Sequence, residues 1–427
     1  MSVVLRPGAP ALQGSLVTPA FMANPYPAYR AWQEAGPIHW SDEFFGGAWL
    51  VTRHADVQQV LQDPRFSAQR TGAWVKDREA APGELKGFQA LFARALLFLD
   101  APDHPRIRKV LNAGFRPDIL QGLAPHIEQV VTELLDRVDR VEQAGTFDFI
   151  EAVARPLPVQ VMALVLGIDQ PHKDFMAWSE DLASFIGEAQ PTRAQARSAQ
   201  ASLLAMGRYF ESLLVLKRKT PGDDLVSRLA QAQSRGEIKG GAELLAQCAM
   251  LLFAGHETTR HLLGSSVQAL LAHPAQWQRL AREPELLPSA VRELLRFESP
   301  VQYTGRRVAA DMVLHGRQLR RGELVLAMIG AAGRDPARYH DPDVLDIERH
   351  QVASLAFGSG PHVCIGAALT LMEARIVLGQ LLTRWPGLSL LDAAPRWGDK
   401  PAYRGLVALA LRSGAECLKS PISGSTA

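Results

Sequence analysis

The feature that most constrains the fold is one long helical segment in the middle of the chain. The stretch GAELLAQCAMLLFAGHETTRHLLGSSVQALLAHP has no proline in its interior. A helix of about 33 residues would measure roughly 50 Å at the rise of an α-helix. The first half of the stretch is apolar on nearly all sides, which is typical of a helix buried by neighbours on every face. We therefore predict that this helix crosses the core of the protein.

The sequence predicts mainly helices before this segment and a mixture of helices and short strands after it. Apolar residues recur every three or four positions between about residues 104 and 290, as expected for amphipathic helices. The later stretch RRVAADMVLHGRQLRRGELVLAMIG predicts two or three short strands. Because helices and strands interleave without a linker, we predict a mainly α fold with minor β. It would form a single large domain over residues 1–427, with flexible tails at about 1–15 and 415–427.

Composition argues against several classes of protein. The 46 lysines and arginines nearly balance the 44 aspartates and glutamates, so the overall charge does not indicate a nucleic-acid partner. The amino-terminal stretch carries prolines and polar residues where a signal peptide would be apolar. No uncharged apolar run reaches the about 18 residues of a spanning helix, and three cysteines are too few for a disulfide framework. We expect a monomeric cytoplasmic protein without a membrane or nucleic-acid partner.

A second feature is the loop FGSGPHVCIG, which places Cys364 among glycines. Gly358 and the other glycines would let the backbone pass close to a flat or bulky group. Cys364 precedes a predicted helix over residues 367–384, and a helix N-terminus favours the thiolate. One cysteine cannot complete a tetrahedral zinc site, but it can be the single axial ligand of a haem iron. From the loop alone, an inert buried cysteine is an equally good interpretation.

Charged pairs elsewhere in the chain are candidates to bind such a group or to support it. His104 and Arg108 lie four residues apart, on one face of a predicted helix, and could bind carboxylates. For this pair taken in isolation, a solvated basic face is the favoured interpretation. Glu293 and Arg296 form an i,i+3 pair on another predicted helix, a pattern that is common by chance.

The sequence AGHETT is unusual in the interior of a core helix. Gly255 costs about 1 kcal/mol relative to alanine there, and Thr258 could bond back to a carbonyl four residues earlier and bend the helix. The small pair Ala254 and Gly255 could form a groove beside which Glu257 and Thr258 hold water and pass protons. A kinked packing helix with an exposed glutamate would need no such function.

Together these motifs resemble those of the cytochrome P450 family. The pattern F-x-x-G-x-H-x-C-x-G is met from Phe357 to Gly366, A-G-x-[DE]-T-T from Ala254 to Thr259, and E-x-x-R by Glu293 and Arg296. Each motif alone is weak to moderate evidence, but the set has the family's order and spacing and is highly specific. The resemblance spans essentially the whole chain. It implies a bacterial P450-type domain with the haem between the long central helix and the cysteine loop.

The resemblance implies a role for each matching position. Cys364 would be the proximal iron ligand of haem b (iron protoporphyrin IX), and Glu257 and Thr258 the acid–alcohol pair that supplies protons. The positions that match haem-contacting or propionate-binding residues are His104, Arg108, Ala254, Gly255, Arg307, Phe357, Gly358, His362 and Gly366. The group expected to lock the loop under the haem is Glu293, Arg296 and Arg349.

The chain departs from the common P450 pattern at three supporting positions. Leu371 stands where many members have arginine, although Glu373 nearby is retained. Ser354 replaces a histidine before the cysteine loop, and Gly333 replaces an asparagine. These departures put the supporting loops and the redox face in doubt, and they leave the positions of the oxygen chemistry unchanged.

The implied reaction is insertion of one atom of O₂ into a C–H or C=C bond. The expected substrate is a mid-sized, mostly apolar intermediate of specialised metabolism, such as a polyketide, terpenoid, peptide or fatty-acyl compound. The aromatic residues of the predicted pocket segments are Trp74, Phe88, Phe92, Phe185 and Tyr303. Each of these could instead be ordinary core packing.

The electrons must come from a partner protein, because the chain has no flavin or nicotinamide fingerprint. The resemblance suggests a ferredoxin with its reductase, which would dock on a basic face. The candidate docking residues, which could equally form a solvated face, are Arg106, Lys109, Arg116 and Arg375. Two alternatives are a peroxide-driven haem–thiolate hydroxylase, against which Glu257 and Thr258 argue, and a non-catalytic haem sensor.

Overall fold

The protein is mainly helical and contains several small sheets, which confirms the predicted fold class. The structure is a computed structural model that describes residues 17–70, 86–141, 145–350, 354–392 and 394–414. The predicted tails, at 1–15 and 415–427, lie outside these ranges. Within the described part, no helix combines the length and the apolar character needed to cross a bilayer.

The α-helices are α1 (Pro19–Ala23), α2 (Tyr26–Ala35), α3 (His54–Gln62), α4 (Lys86–Phe92), α5 (Asp103–Asn112), α6 (Pro117–Val141), α7 (Pro156–Leu166), α8 (Phe175–Ile186), α9 (Arg193–Lys219), α10 (Leu225–Ser234), α11 (Gly241–Ala272), α12 (Pro274–Arg282), α13 (Leu287–Phe297), α14 (Ile329–Ala332) and α15 (Ala367–Arg384). The β-strands are β1 (Ile38–Ser41), β2 (Ala48–Val51), β3 (Phe66–Ser67), β4 (Thr146–Asp148), β5 (Thr304–Val308), β6 (Met312–Leu314), β7 (Arg317–Leu319), β8 (Leu324–Ala327), β9 (Ser389–Leu390), β10 (Arg396–Trp397), β11 (Leu406–Ala408) and β12 (Ala410–Arg412).

Helix α11 crosses the core, as its apolar sequence predicts. It runs for 32 residues and contacts α7, α8 and α9 as well as α13 and α15. Nearly every residue of its first half is buried. Because α11 is surrounded by helices, the few polar side chains on it must find partners inside the protein or face an internal cavity.

The largest sheet brings distant parts of the chain together in the order β1–β2–β8–β5–β3. Strands β2 and β8 pair in parallel, and β5 pairs antiparallel with β8 so that Arg306 lies opposite Val325 and Arg307 opposite Leu324. Successive side chains of a strand point to opposite faces. The register of β5 therefore sends Arg306 and Arg307 in opposite directions.

The segment 306–330 forms more strands than its sequence predicts. Four strands, β5 to β8, lie in or overlap it, rather than two or three. The extra strand comes from a tight hairpin in which β6 pairs with β7 across His315 and Gly316. Both residues have positive φ, 47° and 72°, which is the geometry of a two-residue hairpin turn.

A buried ion-pair network holds the loop that leads to the cysteine segment. Both carboxylate oxygens of Glu293 accept hydrogen bonds from the Arg296 guanidinium at 2.7 Å. Arg296 also donates to the carbonyls of Gly333 and Pro342, at 2.8 and 2.7 Å. Arg349 donates to Glu293 at 3.1 Å. Because α13 and residues 333–349 share these bonds, the network fixes the chain shortly before the cysteine loop.

Breaking this network should be strongly destabilising. The Glu293 and Arg296 side chains are only 2% and 3% exposed, so Glu293→Gln would leave a buried guanidinium without its counter-charge. We expect a loss of about 3–5 kcal/mol in the free energy of unfolding, measured by urea denaturation. The control is Arg292→Ala, on the exposed face of the same helix, which should stay within about 0.5 kcal/mol. A loss below 1 kcal/mol in Glu293→Gln would contradict the structural role.

Candidate functional site

A large cavity lies between α11 and the cysteine loop. The space within it and at its mouth that no atom fills is about 1820 Å³. Its wall is formed mainly by apolar residues of α11, α15, β5, β8 and the cysteine loop. The part of this space that a water-sized molecule can enter is about 300 Å³, which lies at the lower end of the about 300–1,000 Å³ of typical ligand pockets.

The cysteine loop presents a thiol to this cavity. Gly358 and Gly360 adopt positive φ, 75° and 73°, and a Cβ on Gly360 would lie 3.1 Å from the Gln62 Cα of α3. The Cys364 amide donates to the Phe357 carbonyl at 2.8 Å, which closes the loop. The exposed surface of Cys364 lies on the cavity wall, so the sulfur is available to a group held inside the protein.

The protonation of Cys364 differs from the expectation drawn from its place before a helix. Burial raises the pKa of its thiol above the ordinary value, although the Gly366 backbone and the Arg108 guanidinium act in the opposite direction. The helix N-terminus alone therefore does not produce a thiolate. A metal ion bound to the sulfur would supply the missing stabilisation, because metal binding displaces the thiol proton.

Arginine and histidine side chains form a cationic cluster at one side of the cavity, and its positive charge resides on the arginines. Arg70, Arg306 and His362 line its wall. The rings of His362 and His104 lie 4.0 Å apart between their centroids, and the buried Nε2 of His104 has no hydrogen-bond partner among the described residues. Arg108 reaches the same region, where it donates to the Pro361 carbonyl at 3.1 Å.

The electrostatics of this cluster call for an anion. Burial, together with the charge of Arg306, lowers the pKa of Arg70 to about 9. Burial also lowers the pKa of Arg306 to about 10. Burial and the surrounding cations lower the pKa of His362 to about 3. Asp100 offsets part of the burial of Arg306, but no carboxylate of the described residues is in ion-pair contact with Arg70 or Arg306. Because buried charge without such a partner is costly, the cluster fits a bound group that carries negative charge.

Arg307, the strand residue predicted to bind that anion, lies elsewhere. The register of β5 turns Arg307 away from the cavity, and its guanidinium donates to the Gly322 carbonyl at 2.7 Å. Its neighbour Arg306 lines the wall in its place. Sequence reasoning also missed Arg70, because a single arginine in an irregular stretch after β3 gives no periodic or motif signal.

The AGHETT segment of α11 divides its functional groups between two faces. Ala254, Gly255 and Thr258 line the cavity, and the Thr258 hydroxyl donates to the Ala254 carbonyl at 2.9 Å, the back-bond that the sequence predicts. A Cβ on Gly255 would lie 2.4 Å from the Met162 sulfur. This glycine therefore allows α7 to pack closely against α11.

Glu257 is buried on a face of α11 that does not line the cavity. It is 1% exposed, with His261 Nε2 at 3.4 Å, Arg260 Nη1 at 3.5 Å and His256 Nδ1 at 3.6 Å from its carboxylate. Burial alone would raise the pKa of Glu257, but these neighbours lower it below the ordinary value. The carboxylate is therefore ionised, and the alternative of a solvent-exposed glutamate does not fit the structure.

The predicted pocket aromatics separate into two layers. Phe185 and Tyr303 line the cavity. Phe88 and Phe92 are 2% and 1% exposed and stack on each other at 4.9 Å, and Phe88 meets Phe185 edge to face at 5.1 Å. They form a second layer behind the wall, and Trp74 lies outside the described residues.

The predicted docking residues also differ in their surroundings. Arg106 is held by Glu243 and Asp103, at 2.6 and 2.7 Å, and Arg116 pairs with Asp118. Lys109 and Arg375 are exposed, and Arg375 donates to the Leu371 carbonyl at 3.1 Å. Only these last two of the four present their charge without a carboxylate in ion-pair contact among the described residues.

The three departures from the family pattern have local structural roles. Ser354 caps the short helical turn Leu355–Phe357, where its side chain accepts from the Ala356 amide. Leu371 packs, partly buried, against the main core. Gly333 approaches the Arg296 carbonyl, to which an added Cβ would come within 2.7 Å. All three support the loops around the site, and none lines the cavity.

Comparison with known proteins identifies the family. The cytochrome P450 profile matches residues 211–386. Cytochrome P450 107B1 of Saccharopolyspora erythraea is 40% identical over 375 residues, which cover 86% of this chain and 90% of that protein. Cytochrome P450 monooxygenase PikC of Streptomyces venezuelae is 36% identical over 399 residues, with 92% of each chain covered. The structure of P450BioI with an acyl carrier protein superimposes with a TM-score of 0.83 at 32% identity, covering 92% of this chain and 99% of that one.

The site fits the cofactor of this family. Haem b brings an iron that can take a cysteine thiolate as axial ligand and two propionates that need cationic partners. The cavity offers the Cys364 thiol on its wall and a buried cationic cluster with the unpartnered Nε2 of His104. Sequence identity over most of its length, the matching fold and this fit together establish that the chain belongs to the cytochrome P450 family of haem monooxygenases.

Proposed function

We propose that this P450 hydroxylates or epoxidises a mid-sized, mostly apolar molecule of specialised metabolism. The observation that carries the proposal is the large cavity, whose wall is mainly apolar and also holds the Cys364 thiol and the Thr258 hydroxyl. The names of the relatives support the substrate class, since they include a vitamin D(3) 25-hydroxylase and a nocardicin C N-oxygenase. Phe185 and Tyr303 would contact the substrate from the wall.

The chain would hold the cofactor from two sides. Cys364 would bind the iron through its sulfur, and its thiol would lose its proton when the metal binds. The propionates would be bound by the cationic cluster, namely Arg70, His104, Arg108, Arg306 and His362. When bound, a haem–thiolate supplies the activation of O₂ for insertion of one oxygen atom into the substrate.

The protein would supply protons through α11. The overall reaction consumes the substrate C–H, O₂, two electrons and two protons and yields C–OH and water. Thr258 lines the cavity and would present its hydroxyl to it. The neighbouring Glu257 lies off the cavity wall, and its carboxylate is 3.5 Å from the Arg260 guanidinium. Arg260 lies 3.6 Å from the Glu180 carboxylate. Glu180 in turn forms an ion pair with Arg155 at 2.8 Å, and the Glu180 and Arg155 side chains are both partly exposed. The arginines keep their protons, so the partly exposed Glu180 would be the group of this network that exchanges protons with solvent.

A separate ferredoxin and its reductase would supply the electrons. Lys109 and Arg375 carry exposed positive charge that suits an acidic partner. We also propose a monomer in the cytoplasm. All the proposed cofactor-binding residues belong to one chain, and the described cysteines, Cys248 and Cys364, are free, which suits a reducing compartment.

The carbon monoxide spectrum of the dithionite-reduced protein tests the ligand. We expect the strongly red-shifted Soret band of a thiolate-bound haem. Cys364→His should replace that band with a globin-like one, because imidazole would become the axial ligand. Cys248→Ala is the control, since Cys248 is buried away from the cavity wall, and it should keep the band. A globin-like spectrum of the unmodified protein would refute the assignment of Cys364.

Adjacent arginines of β5 should differ in their effect on haem binding. Arg306→Ala removes a buried cation of the cluster, so we expect about 100-fold weaker haem affinity, which corresponds to about 3 kcal/mol. Arg307→Ala removes a side chain that faces away from the cavity and should change affinity by less than about threefold. Haem transfer to apomyoglobin measures both. Equal losses in the two variants would contradict the placement of Arg306.

The electron source separates the monooxygenase from its alternatives. We expect turnover with a surrogate ferredoxin, its reductase and NADPH, and none with hydrogen peroxide alone. Lys109→Glu with Arg375→Glu should slow reduction by about tenfold at low salt and leave substrate affinity unchanged. The control is Arg208→Glu, on the exposed face of α9. Turnover with peroxide alone would favour the peroxide-driven hydroxylase, and no turnover with either source would favour the sensor.

A further inference from the structure

One methionine of α7 contributes to the cavity wall. Met162 belongs to α7, which packs directly against α11. The residue is only 3% exposed, and it nevertheless lines the cavity. The other methionines that the structure describes lie off this wall. Apart from the Cys364 thiol, the Met162 thioether is therefore the sulfur group of the described residues that borders the reaction space.

Met162 reaches the wall because the adjacent turn of α11 contains a glycine. A Cβ on Gly255 would lie 2.4 Å from the Met162 sulfur and 2.6 Å from its Cγ, so the thioether fills the space that a side chain would take. Gly255 lines the cavity together with Thr258, which follows it by one turn on the same face of the helix. The glycine therefore leaves a gap in α11, and the Met162 sulfur lies in that gap.

A thioether at this position is a target for the oxidant that an incomplete reaction releases. When O₂ takes up two electrons and two protons but no oxygen atom enters a substrate, the product is hydrogen peroxide. A methionine sulfur attacks one oxygen of the peroxide, the O–O bond breaks, and the other oxygen leaves as water. The sulfur loses two electrons and becomes a sulfoxide, while the peroxide is reduced.

We propose that Met162 is an oxidation site, where hydrogen peroxide that forms in the cavity is consumed by conversion of the thioether to the sulfoxide. The proposal rests on the proposed monooxygenase function, which supplies the peroxide, and adds a modification site to it. Because the sulfur lies in the gap at Gly255, peroxide would meet it before escaping to solvent.

The modification would disturb the contact between α7 and α11. A thioether is apolar and flexible, whereas a sulfoxide is polar and chiral. The Met162 sulfur already fills the gap at Gly255, so the added oxygen must either face the mainly apolar cavity or push the two helices apart. Oxidation would therefore destabilise the protein after turnover without substrate. Methionine sulfoxide reductases convert a sulfoxide back to the thioether.

Peptide mass spectrometry locates the modification. The haem-loaded protein is given a surrogate ferredoxin, its reductase and NADPH, without substrate. Catalase is present, which removes peroxide from the solution but is too large to enter the cavity. We expect Met162 to gain the mass of one oxygen atom and the partly exposed Met22 of α1 to remain unmodified. Peroxide added to the solution, with no electron source and no catalase, should instead oxidise Met22 ahead of Met162.

Two substitutions test the consequence of the modification. Met162→Leu removes the sulfur and nearly conserves the side-chain volume, so it should fold. Met250→Leu is the matched control, because Met250 is 6% exposed and lies on α11 off the cavity wall. After turnover without substrate, the urea midpoint of unfolding should fall in the unmodified protein and in Met250→Leu. It should stay unchanged in Met162→Leu.

Oxygen consumption that leaves Met162 unmodified would overturn the proposal. Equal oxidation of Met22 and Met162 in the presence of catalase would overturn it as well, because the oxidant would then act from solution. If Met162→Leu does not fold, the mass spectra of the unmodified protein decide the question alone. A protein that consumes no oxygen with the ferredoxin system would refute the proposed function and this proposal with it, so the two failures are distinguishable.

Discussion

The constraint on which this architecture depends is the burial of the Arg70 and Arg306 guanidinium groups, which have no carboxylate in ion-pair contact among the described residues. Arg70, Arg306 and His362 sit on the wall of a mainly apolar cavity, where burial lowers the pKa of each. A bound anion would offset the free energy that is lost when such charge is removed from water. The sheet, the loop after β3 and the cysteine loop converge to build this cluster. The cavity is therefore organised around the cofactor of the family, and the remaining space is left for substrate.

Helix α11 is the second organising element, because one of its faces borders the cavity and the other carries a buried network of charged groups. One face turns Ala254 and Thr258 toward the cavity, where the threonine hydroxyl can meet bound molecules. The other face keeps Glu257 in a network of Arg260 and histidines that leads outward through Glu180. A single helical turn thus separates the reaction space from a buried network of charged groups. Gly255 on the same turn lets Met162 of α7 pack where an added Cβ would collide with it.

Local patterns in the sequence predicted the long core helix, the helix after the cysteine and the back-bond of Thr258, because each depends on residues within a few positions. Side-chain direction was predicted less well. The sequence could not distinguish Arg306 from Arg307, since only the pairing register of β5 with β8 decides which faces the cavity. Phe88 and Phe92 were likewise predicted to line the pocket. They stack on each other behind Phe185 instead, and the packing that places them there is not visible in the sequence.

The sequence by itself determined the mainly helical class, the family and the loop that presents Cys364, because motif spacing and hydrophobic period are encoded along the chain. Only the tertiary structure decided which charges lie together and which are left unpaired. It brought Arg70 next to Arg306 on the cavity wall and turned Glu257 away from that wall. The reason is physical: the cost of a buried charge depends on its neighbours in space, and those neighbours come from distant parts of the chain.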